Sequence, residues 1–329
     1  MRGKPGAGGF IKPMLATLID APFDNPDWVF ETKWDGYRLI ARAAPGEATL
    51  YSRNGHDVTS DYPSIAAALA KCKKPMLLDG ELVALDEAGL ARFQLMQHAR
   101  REPQRLRYCV FDLLELDGED LRRQPLLERK RKLKAALPRA AALIFSAHVV
   151  GSGVAAFEAA AQSHLEGVIG KRAQSAYHAG QRSPDWVKIK TGLRQEAVIV
   201  GFTAPKRSRE YFGALVLAVR EGRGFRYVGR VGTSFDAAAL ASLYGSLKPL
   251  IQKASAVATD NVPDLRVTTW VKPHLICEVK FSEWTGDGQM RHPVFMGLRP
   301  DKAAREVVRE KAARTSRRVG KKRGPRLRP

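Results

Sequence analysis

Residues 31–38 have the sequence ETKWDGYR, which places a lysine between two carboxylates, directly before a glycine and a run typical of a β-strand. Lys33 stands between Glu31 and Asp35, an unusual setting for a surface lysine. In a confined, cation-rich site the pKa of a lysine falls, and its neutral amine becomes a nucleophile. Gly36 permits a tight turn or the close approach of a ligand. The pattern predicts a reactive amine, although a solvated turn with an ordinary Lys–Asp ion pair fits the same residues.

The next residues extend the candidate site. Arg38 offers a planar donor group for a phosphate or a sugar. Residues 37–43 and 48–51 alternate as strands do and flank a Pro-Gly turn, which predicts a hairpin. The hairpin ends at an S-R-N-G element that contains Arg53, so this arginine is expected near Lys33.

Two apolar runs further along predict buried strands, and each contains a residue of chemical interest. Glu81 lies in residues 76–85, where a buried carboxylate requires a donor or a cation. A salt bridge meets this requirement, and so does a contact to a ribose hydroxyl or a metal. Phe111 lies in residues 107–116 and has the character of an ordinary core residue.

Two basic elements follow an alanine-rich helical stretch. They are EGVIGKR, residues 166–172, and DWVKIK, residues 185–190. Side chains alternate along a strand, so Lys188 and Lys190 are expected on the same face. Two ammonium groups on one face repel each other unless an anion lies between them, and a nucleotide phosphate is such an anion.

Taken in order, these elements resemble the motifs of the covalent nucleotidyltransferases, the superfamily of ATP-dependent DNA ligases, RNA ligases and mRNA-capping enzymes. The matching elements are K-x-D-G-x-R, S-R-N-G, D-G-E, an aromatic in a strand, E-G-V-I-x-K and the paired lysines. Residues 278–285 and 291–299 also resemble the C-terminal signature of bacterial end-joining ligases of the ligase D and ligase C type. The resemblance covers about residues 10–302. It is carried by several elements in family order and not by one short motif.

The resemblance implies a role for each candidate site residue. It implies that Lys33 becomes adenylated, that Lys188 and Lys190 hold the nucleotide phosphate, and that Asp35 orients Lys33 or ligates Mg²⁺. It implies ATP as cofactor, with Mg²⁺ or Mn²⁺ as the metal. The implied nucleotide-binding residues are Glu31, Arg38, Arg53, Glu81, Phe111 (stacked on the purine), Lys171, Arg291 and Arg299, and the implied metal ligands are Glu166 and Glu81.

The resemblance also implies an α+β fold in two domains. Residues 1–191 are predicted to form an adenylation (nucleotidyltransferase) domain with antiparallel sheets, and residues 192–304 a C-terminal OB-fold β-barrel. Residues 305–329 are basic and lack an apolar period, which predicts a disordered tail. The charge run within residues 126–137 predicts a helix with a solvated face.

The composition indicates which kind of molecule the chain binds. The formal net charge of +21 favours a polyanion. The sequence has no apolar run of membrane-spanning length, and its N-terminus lacks an apolar signal core, which predicts a cytoplasmic protein. The resemblance to bacterial ligases implies that it is associated with the nucleoid. The three cysteines form no metal pattern, which disfavours a zinc-containing, NAD-dependent ligase.

The resemblance implies an ATP-dependent DNA ligase that seals 5′-phosphate/3′-hydroxyl breaks in duplex DNA, in repair or end joining. The expected partners are nicked or broken duplex DNA and, through the resemblance alone, a Ku-type end-binding protein; the expected state is a monomer. Two alternatives remain open from the sequence. One is an RNA ligase or GTP-dependent mRNA-capping enzyme on the same core, and the other is a non-catalytic DNA-binding adaptor.

Overall fold

The chain forms two successive units, each around its own hydrophobic core, in a computed structural model that describes residues 10–96, 102–205, 210–232, 235–260 and 262–313. The strands of the first unit are β1 (Leu15–Leu18), β2 (Asn25–Thr32), β3 (Tyr37–Ala44), β4 (Glu47–Ser52), β5 (Met76–Ala84), β6 (Leu106–Leu116), β7 (Glu119–Asp120), β8 (Leu143–Phe145), β9 (His148–Gly151), β10 (Gly167–Arg172) and β11 (Arg182–Lys190). Its helices are α1 (Pro63–Leu69), α2 (Phe93–Met96), α3 (Leu126–Ala136) and α4 (Gly153–Gln162), with 3-10 turns at Thr59–Asp61 and Pro103–Arg105.

The second unit is mainly β-structure. Its strands are β12 (Leu193–Thr203), β13 (Leu215–Glu221), β14 (Gly224–Val231), β15 (Ile251–Gln252), β16 (Thr268–Val271), β17 (Ile276–Phe281), β18 (Glu283–Trp284), β19 (Met290–Arg291) and β20 (Val294–Leu298). The helix α5 (Ala237–Leu247) and 3-10 turns at Lys248–Leu250, Leu265–Val267 and Ala304–Glu306 complete it.

Two sheets face each other in the first unit. Their strand orders are β1-β11-β10-β2-β9 and β4-β3-β5-β6-β7, with β8 beside β6. The β1–β11 and β6–β8 pairs are parallel, so the sheets are mixed and not purely antiparallel as predicted. Phe111 of one sheet and Trp186 of the other belong to the same core cluster, with ring centroids 6.1 Å apart.

Residues 33–36 connect these two sheets, because β2 belongs to one sheet and β3 to the other. Gly36 is required by this crossing. A Cβ there would lie 2.0 Å from the carbonyl oxygen of Leu82 in β5. The close approach that the sequence predicted is therefore to a neighbouring strand, and it fixes where the chain presents Lys33.

Helix α3 differs from the prediction of a solvated face. Arg129 and Lys130 are buried, and the Arg129 guanidinium donates to both carboxylate oxygens of Asp112 at 2.7 and 2.8 Å. The helix packs across β6, so the side chains on this face meet carboxylates and carbonyl groups of the core and not water.

Replacing Arg129 by methionine is expected to destabilise the first unit by about 3–5 kcal/mol, because it leaves the Asp112 carboxylate buried without its partner. Arg131→Met on the same helix is the matched control. Its ion pair with Glu128 is exposed at the surface, and its loss is expected to cost less than about 1 kcal/mol. Urea unfolding measures both; equal costs for the two variants would contradict the burial argument.

A long strand organises the second unit. β12 pairs with β13 and β16 along its C-terminal half and with β17 along its N-terminal half, and β17 continues to β20. This branching lets one sheet curl into the barrel-like form predicted for an OB fold. The chain leaves the first unit after Lys190 and enters β12 at Leu193, where the sequence predicts the boundary between residues 1–191 and 192–304.

Residues 305–313 differ from the predicted disordered tail. Val307 is only 1% exposed and belongs to the core of the second unit. The N–H of Ala313 donates to the carbonyl oxygen of Leu18 in β1 at 2.9 Å. An apolar residue within the basic stretch therefore anchors it, while residues 314–329 lie outside the described residues.

Among the helices in the described ranges, none combines the length and apolar character needed to cross a membrane.

Candidate active site

A cavity of about 390 Å³ lies between the two units, with Lys33 in its wall. The first unit contributes the loop between β2 and β3 and the strands β10 and β11, and the second contributes the start of β12 and the segment after β20. All of the predicted site residues except Arg291 line this cavity: Glu31, Lys33, Asp35, Arg38, Arg53, Glu81, Phe111, Glu166, Lys171, Lys188, Lys190 and Arg299.

The amine of Lys33 is in contact with the Glu166 carboxylate. Its backbone N–H donates to Gly167 O at 2.9 Å, so the loop is tied to the start of β10. Burial alone would lower the pKa of Lys33, but the charges of Glu166 and Asp35 outweigh burial and raise it. The sequence prediction of a lowered lysine pKa is therefore wrong for this arrangement, because carboxylates and not cations are the nearest charges to the amine.

Arg194 connects this loop to the second unit. Its guanidinium lies 2.5 Å from Asp35 Oδ2 and 3.7 Å from Glu278 Oε1. Burial, together with the charges of Glu166 and Glu278, raises the pKa of Asp35 to about 6 against the opposing charge of Arg194. Three carboxylates thus converge near the amine, with one guanidinium between two of them.

Glu31 is held by a fully buried group of donors. Lys130 Nζ and Lys171 Nζ lie 2.9 and 3.0 Å from Glu31 Oε1, and Ser146 Oγ donates to Oε2 at 3.0 Å. Burial lowers the pKa of Lys171 to about 8, although the charge of Glu31 opposes this shift. The Lys171 ammonium also lies 4.4 Å from the centroid of the Phe111 ring. This corner of the cavity therefore combines the Phe111 ring with the Glu31 carboxylate, whose orientation is fixed by its donors.

Arg38 forms an ion pair within the protein. Its Nε and Nη2 lie 2.5 and 2.7 Å from the two oxygens of buried Asp79, to which the Tyr177 hydroxyl also donates at 2.6 Å. The guanidinium carbon lies 4.5 Å from the centroid of Phe111. Glu81 faces the same cavity, and burial raises its pKa to about 7.

Lys188 and Lys190 share one face, as strand alternation predicts, and an anion lies between them. The anion is Glu310, whose two carboxylate oxygens contact Lys188 Nζ and, at 2.7 Å, Lys190 Nζ. Burial lowers the pKa of Lys188 to about 8, against the charge of Glu310. The two lysine charges lower the pKa of Glu310 to about 2, although burial acts in the opposite direction.

The segment after β20 reaches the cavity at Arg299 and not at Arg291. Arg299 donates to Glu278 at 2.9 Å and to both oxygens of Asp301 at 2.9 and 2.8 Å. Arg291 instead faces solvent in the β18–β19 hairpin, paired with Glu283 at 2.7 Å directly across the hairpin. The sequence predicts Arg291 in the site, but the hairpin places it at the surface, outside the cavity.

The two units also meet beside the cavity. Asn54 Nδ2 donates to the Asp301 carbonyl oxygen at 3.1 Å, and Arg53 lies 3.9 Å from Glu306. These contacts bring the S-R-N-G element against the segment that follows Arg299, so the second unit is closed over Lys33.

Residues 13–190 match the family described as "ATP dependent DNA ligase domain", and residues 208–302 match "ATP dependent DNA ligase C terminal region". The chain belongs to the ATP-dependent DNA ligase family. The family, the two-unit fold and the nucleotidyltransferase class of enzyme predicted from the sequence are thereby confirmed.

Curated relatives of this ligase carry end-joining names. The chain is 44% identical over 322 residues to the multifunctional non-homologous end joining protein LigD of Pseudomonas aeruginosa, covering 94% of this chain and 38% of that protein. It is 41% identical over 305 residues to the protein of that name from Mycolicibacterium smegmatis, covering 91% and 39%. The chain thus spans about two fifths of the length of these relatives.

Other related proteins are matched over a larger share of their own length. The prophage-derived DNA ligase-like protein LigB of Bacillus subtilis is 30% identical over 197 residues, which is 59% of this ligase and 72% of that protein. A solved structure of mycobacterial DNA ligase D complexed with ATP and MES superposes with a TM-score of 0.69 at 38% identity, covering 91% of this chain and 98% of that one.

Several residues of the ligase site were missed by the sequence analysis. Lys130 belongs to a charge run that predicts exposure, and Ser146 has no motif around it. Arg194 lies just beyond the predicted domain boundary, where linkers carry little signal. Glu310 is an acid within a basic tail, which offers no pattern from which a cavity position follows.

Proposed function

We propose that this chain seals breaks in duplex DNA that present a 5′-phosphate and a 3′-hydroxyl, with Lys33 as the residue that carries the adenylyl group. The observation that supports this most directly is the position of the Lys33 amine, which shares one cavity with Glu166, Lys188 and Lys190. Membership of the ATP-dependent DNA ligase family supports a role for that amine in nucleotidyl transfer.

In the first step the Lys33 amine attacks the α-phosphorus of ATP. A nitrogen–phosphorus bond forms, the bond from that phosphorus to the bridging oxygen breaks, and pyrophosphate leaves. The amine has to lose a proton before it attacks, and neutralising Glu166 would remove the largest charge that retains this proton. Lys188 and Lys190 hold phosphate oxygens, and Arg299 approaches the leaving group from the second unit.

The residues around the amine suit a divalent cation. Asp35, Glu166 and Glu278 supply only oxygen donors, and burial, together with the charges of Glu166 and Glu278, raises the pKa of Asp35. Within the described ranges no group of three or more histidine, cysteine or acidic residues is arranged to hold a metal alone. The family resemblance implies Glu166 and Glu81 as ligands of Mg²⁺ or Mn²⁺, and both line this cavity, where the phosphates of ATP would complete the coordination. Such an ion neutralises charge that develops on the departing pyrophosphate.

The later steps use DNA. The 5′-phosphate at the break attacks the adenylated lysine, so that the nitrogen–phosphorus bond breaks and the adenylyl group moves to DNA. The 3′-hydroxyl then attacks the activated 5′-phosphate, and AMP leaves. A second cavity of about 830 Å³ adjoins the first. Its lining includes Asp61, Asp301 and Glu306, and also five basic residues that suit a phosphate backbone, namely Lys12, Arg53, Arg182, Lys302 and Arg305.

The biological setting is part of the same proposal. The end-joining names of the relatives support joining of double-strand ends, and the charge of +21 supports association with chromosomal DNA. A Ku-type end-binding partner and a location in the bacterial cytoplasm are proposed from the family resemblance alone. We expect the chain to act as a monomer, because one copy supplies every side chain assigned above.

The decisive experiment is a ligation assay with nicked, cohesive and blunt duplexes, each supplied with ATP, NAD or GTP. We expect sealing with ATP alone. An adduct formed from GTP would favour the capping alternative, and a preference for RNA ends would favour RNA joining. The absence of any protein–nucleotide adduct would favour a DNA-binding adaptor.

The affinity for nicked DNA is expected to fall by about three orders of magnitude between roughly 50 and 200 mM salt, because each neutralised phosphate releases counterions. Adenylylation by ATP without DNA provides the comparison and is expected to change much less. Electrophoretic mobility shifts measure the first quantity and labelled-ATP transfer the second. A flat salt response of DNA binding would contradict an electrostatic interface.

A further inference from the structure

Residues 305–313 run from the second unit back to the first across the mouth of the cavity. Val307 is fixed in the core of the second unit, and its carbonyl oxygen accepts from Arg220 N–H at 2.6 Å. Ala313 is fixed to Leu18 of β1. The segment is thus held at both ends, and Glu310 lies between the two anchors.

Gln195 holds this middle part from the start of β12. Its amide nitrogen donates to the Val308 carbonyl oxygen at 3.0 Å, and its amide oxygen accepts from Glu310 N–H at 3.1 Å. Gln195 itself is 2% exposed. Hydrogen bonds therefore fix the backbone on both sides of Glu310. This restricts where its carboxylate can lie.

The carboxylate uses the same two ammonium groups that the proposed first step assigns to phosphate oxygens. Both oxygens of Glu310 are engaged, one with Lys188 and one with Lys190. All three side chains are largely shielded from solvent, at 16%, 14% and 30% exposure for Lys188, Lys190 and Glu310. A nucleotide phosphate that binds Lys188 and Lys190 therefore competes with this carboxylate for the same two ammonium groups.

We propose that Glu310 is an internal competitor for the phosphate subsite formed by Lys188 and Lys190, and that it sets the apparent affinity of this ligase for ATP and pyrophosphate. The inference rests on the proposed function, since it assigns a determinant of affinity to that same site. When the subsite is empty, Glu310 keeps the two ammonium groups together. An incoming triphosphate displaces the carboxylate, and the return of Glu310 favours the departure of pyrophosphate.

The proposal fixes the sign of the effect. A ligand that binds only the fraction of molecules with Glu310 displaced has its apparent affinity reduced by that fraction. Removing the charge of Glu310 without changing its shape raises this fraction. It also leaves Lys188 and Lys190 repelling each other, which strengthens their attraction for any phosphate.

The test is Glu310→Gln in the full chain, with inorganic tripolyphosphate and pyrophosphate as probes in titration calorimetry. We expect binding of both probes to tighten by about tenfold. The KM for ATP in adenylylation should fall by a similar factor while kcat does not rise. Glu221→Gln is the matched control, because Glu221 lies in the second unit, is exposed, and pairs with Arg226 at the surface.

Other outcomes are equally definite. Unchanged or weaker tripolyphosphate binding by Glu310→Gln would overturn the proposal and leave Glu310 as a structural latch. Glu310→Asp retains the charge. If this variant binds the probes with wild-type affinity and both variants have wild-type melting temperatures, the effect of Glu310→Gln comes from the lost charge and not from lost folding. Tighter binding of tripolyphosphate without any ATP-dependent adduct would keep the inference and reject the ligase function. If the chain ligates DNA but Glu310→Gln binds the probes with unchanged affinity, the ligase function stands and this inference fails.

Discussion

Lys33→Ala is expected to lose ATP-dependent adenylylation by at least about four orders of magnitude, because no other group in the assigned reaction can form the bond to the α-phosphorus. Lys33→Arg is expected to fail as well. It retains a positive charge for Glu166, but a guanidinium does not deprotonate near neutral pH and cannot act as the nucleophile. Mass spectrometry of the intact protein after exposure to ATP and Mg²⁺ measures the adduct directly.

Two controls separate lost chemistry from lost structure. Lys71→Ala removes an exposed lysine outside the cavity and should leave the adduct unchanged. Lys33→Ala should also retain sealing of a nick that already bears AMP on its 5′-phosphate, because that step needs no lysyl adduct. If the alanine variant still gains an adenylyl group, Lys33 is not the nucleophile.

Cross-linking the two units in the closed arrangement is expected to allow adenylylation but to reduce multiple-turnover ligation by at least about two orders of magnitude, because DNA has to enter where the second unit now lies. Gln94 Nε2 and Met296 Sδ lie 3.7 Å apart, between α2 and β20, so the two units are joined here by cysteine substitution at both positions, and mass spectrometry of the oxidised sample establishes that the disulfide has formed. Adduct formation and nick sealing are measured on the same oxidised sample.

The cross-link carries its own control. Reduction should restore ligation, and each single cysteine variant should be insensitive to oxidant. The native thiols of Cys72, Cys109 and Cys277 are buried, and burial raises the pKa of all three, so they stay out of the exchange. Sealing at the unmodified rate by the fully oxidised double variant would contradict a required opening.

Local pattern was sufficient for much of the site. Strand alternation places Lys188 and Lys190 on one face, and the K-x-D-G-x-R pattern places Lys33 just before a strand, although it does not predict the crossing between two sheets. These properties depend on residues that are close in sequence. The roles assigned to the individual side chains stay predictions until the variants above are measured.

What the sequence missed depends on contacts between distant elements. The burial of Lys130 requires knowing that α3 packs on β6, and the effect of Glu166 on Lys33 joins positions 133 residues apart. Arg291 and Arg299 are similar in sequence context, but a hairpin turns the first outward while Asp301 and Glu278 draw the second inward. Glu310 reaches its lysines because Val307, Ala313 and Gln195 hold the segment around it, and no local sequence pattern predicts these contacts.

The aromatic corner beside Glu31 has an optical consequence. Trp34 and Trp186 line the cavity, and the Lys171 ammonium lies 4.3 Å from the indole ring of Trp186. Indole emission responds to nearby charge, so the intrinsic fluorescence of this chain reports on occupancy of its own nucleotide cavity. Rapid-mixing kinetics of nucleotide arrival and departure can therefore be followed without attaching a dye.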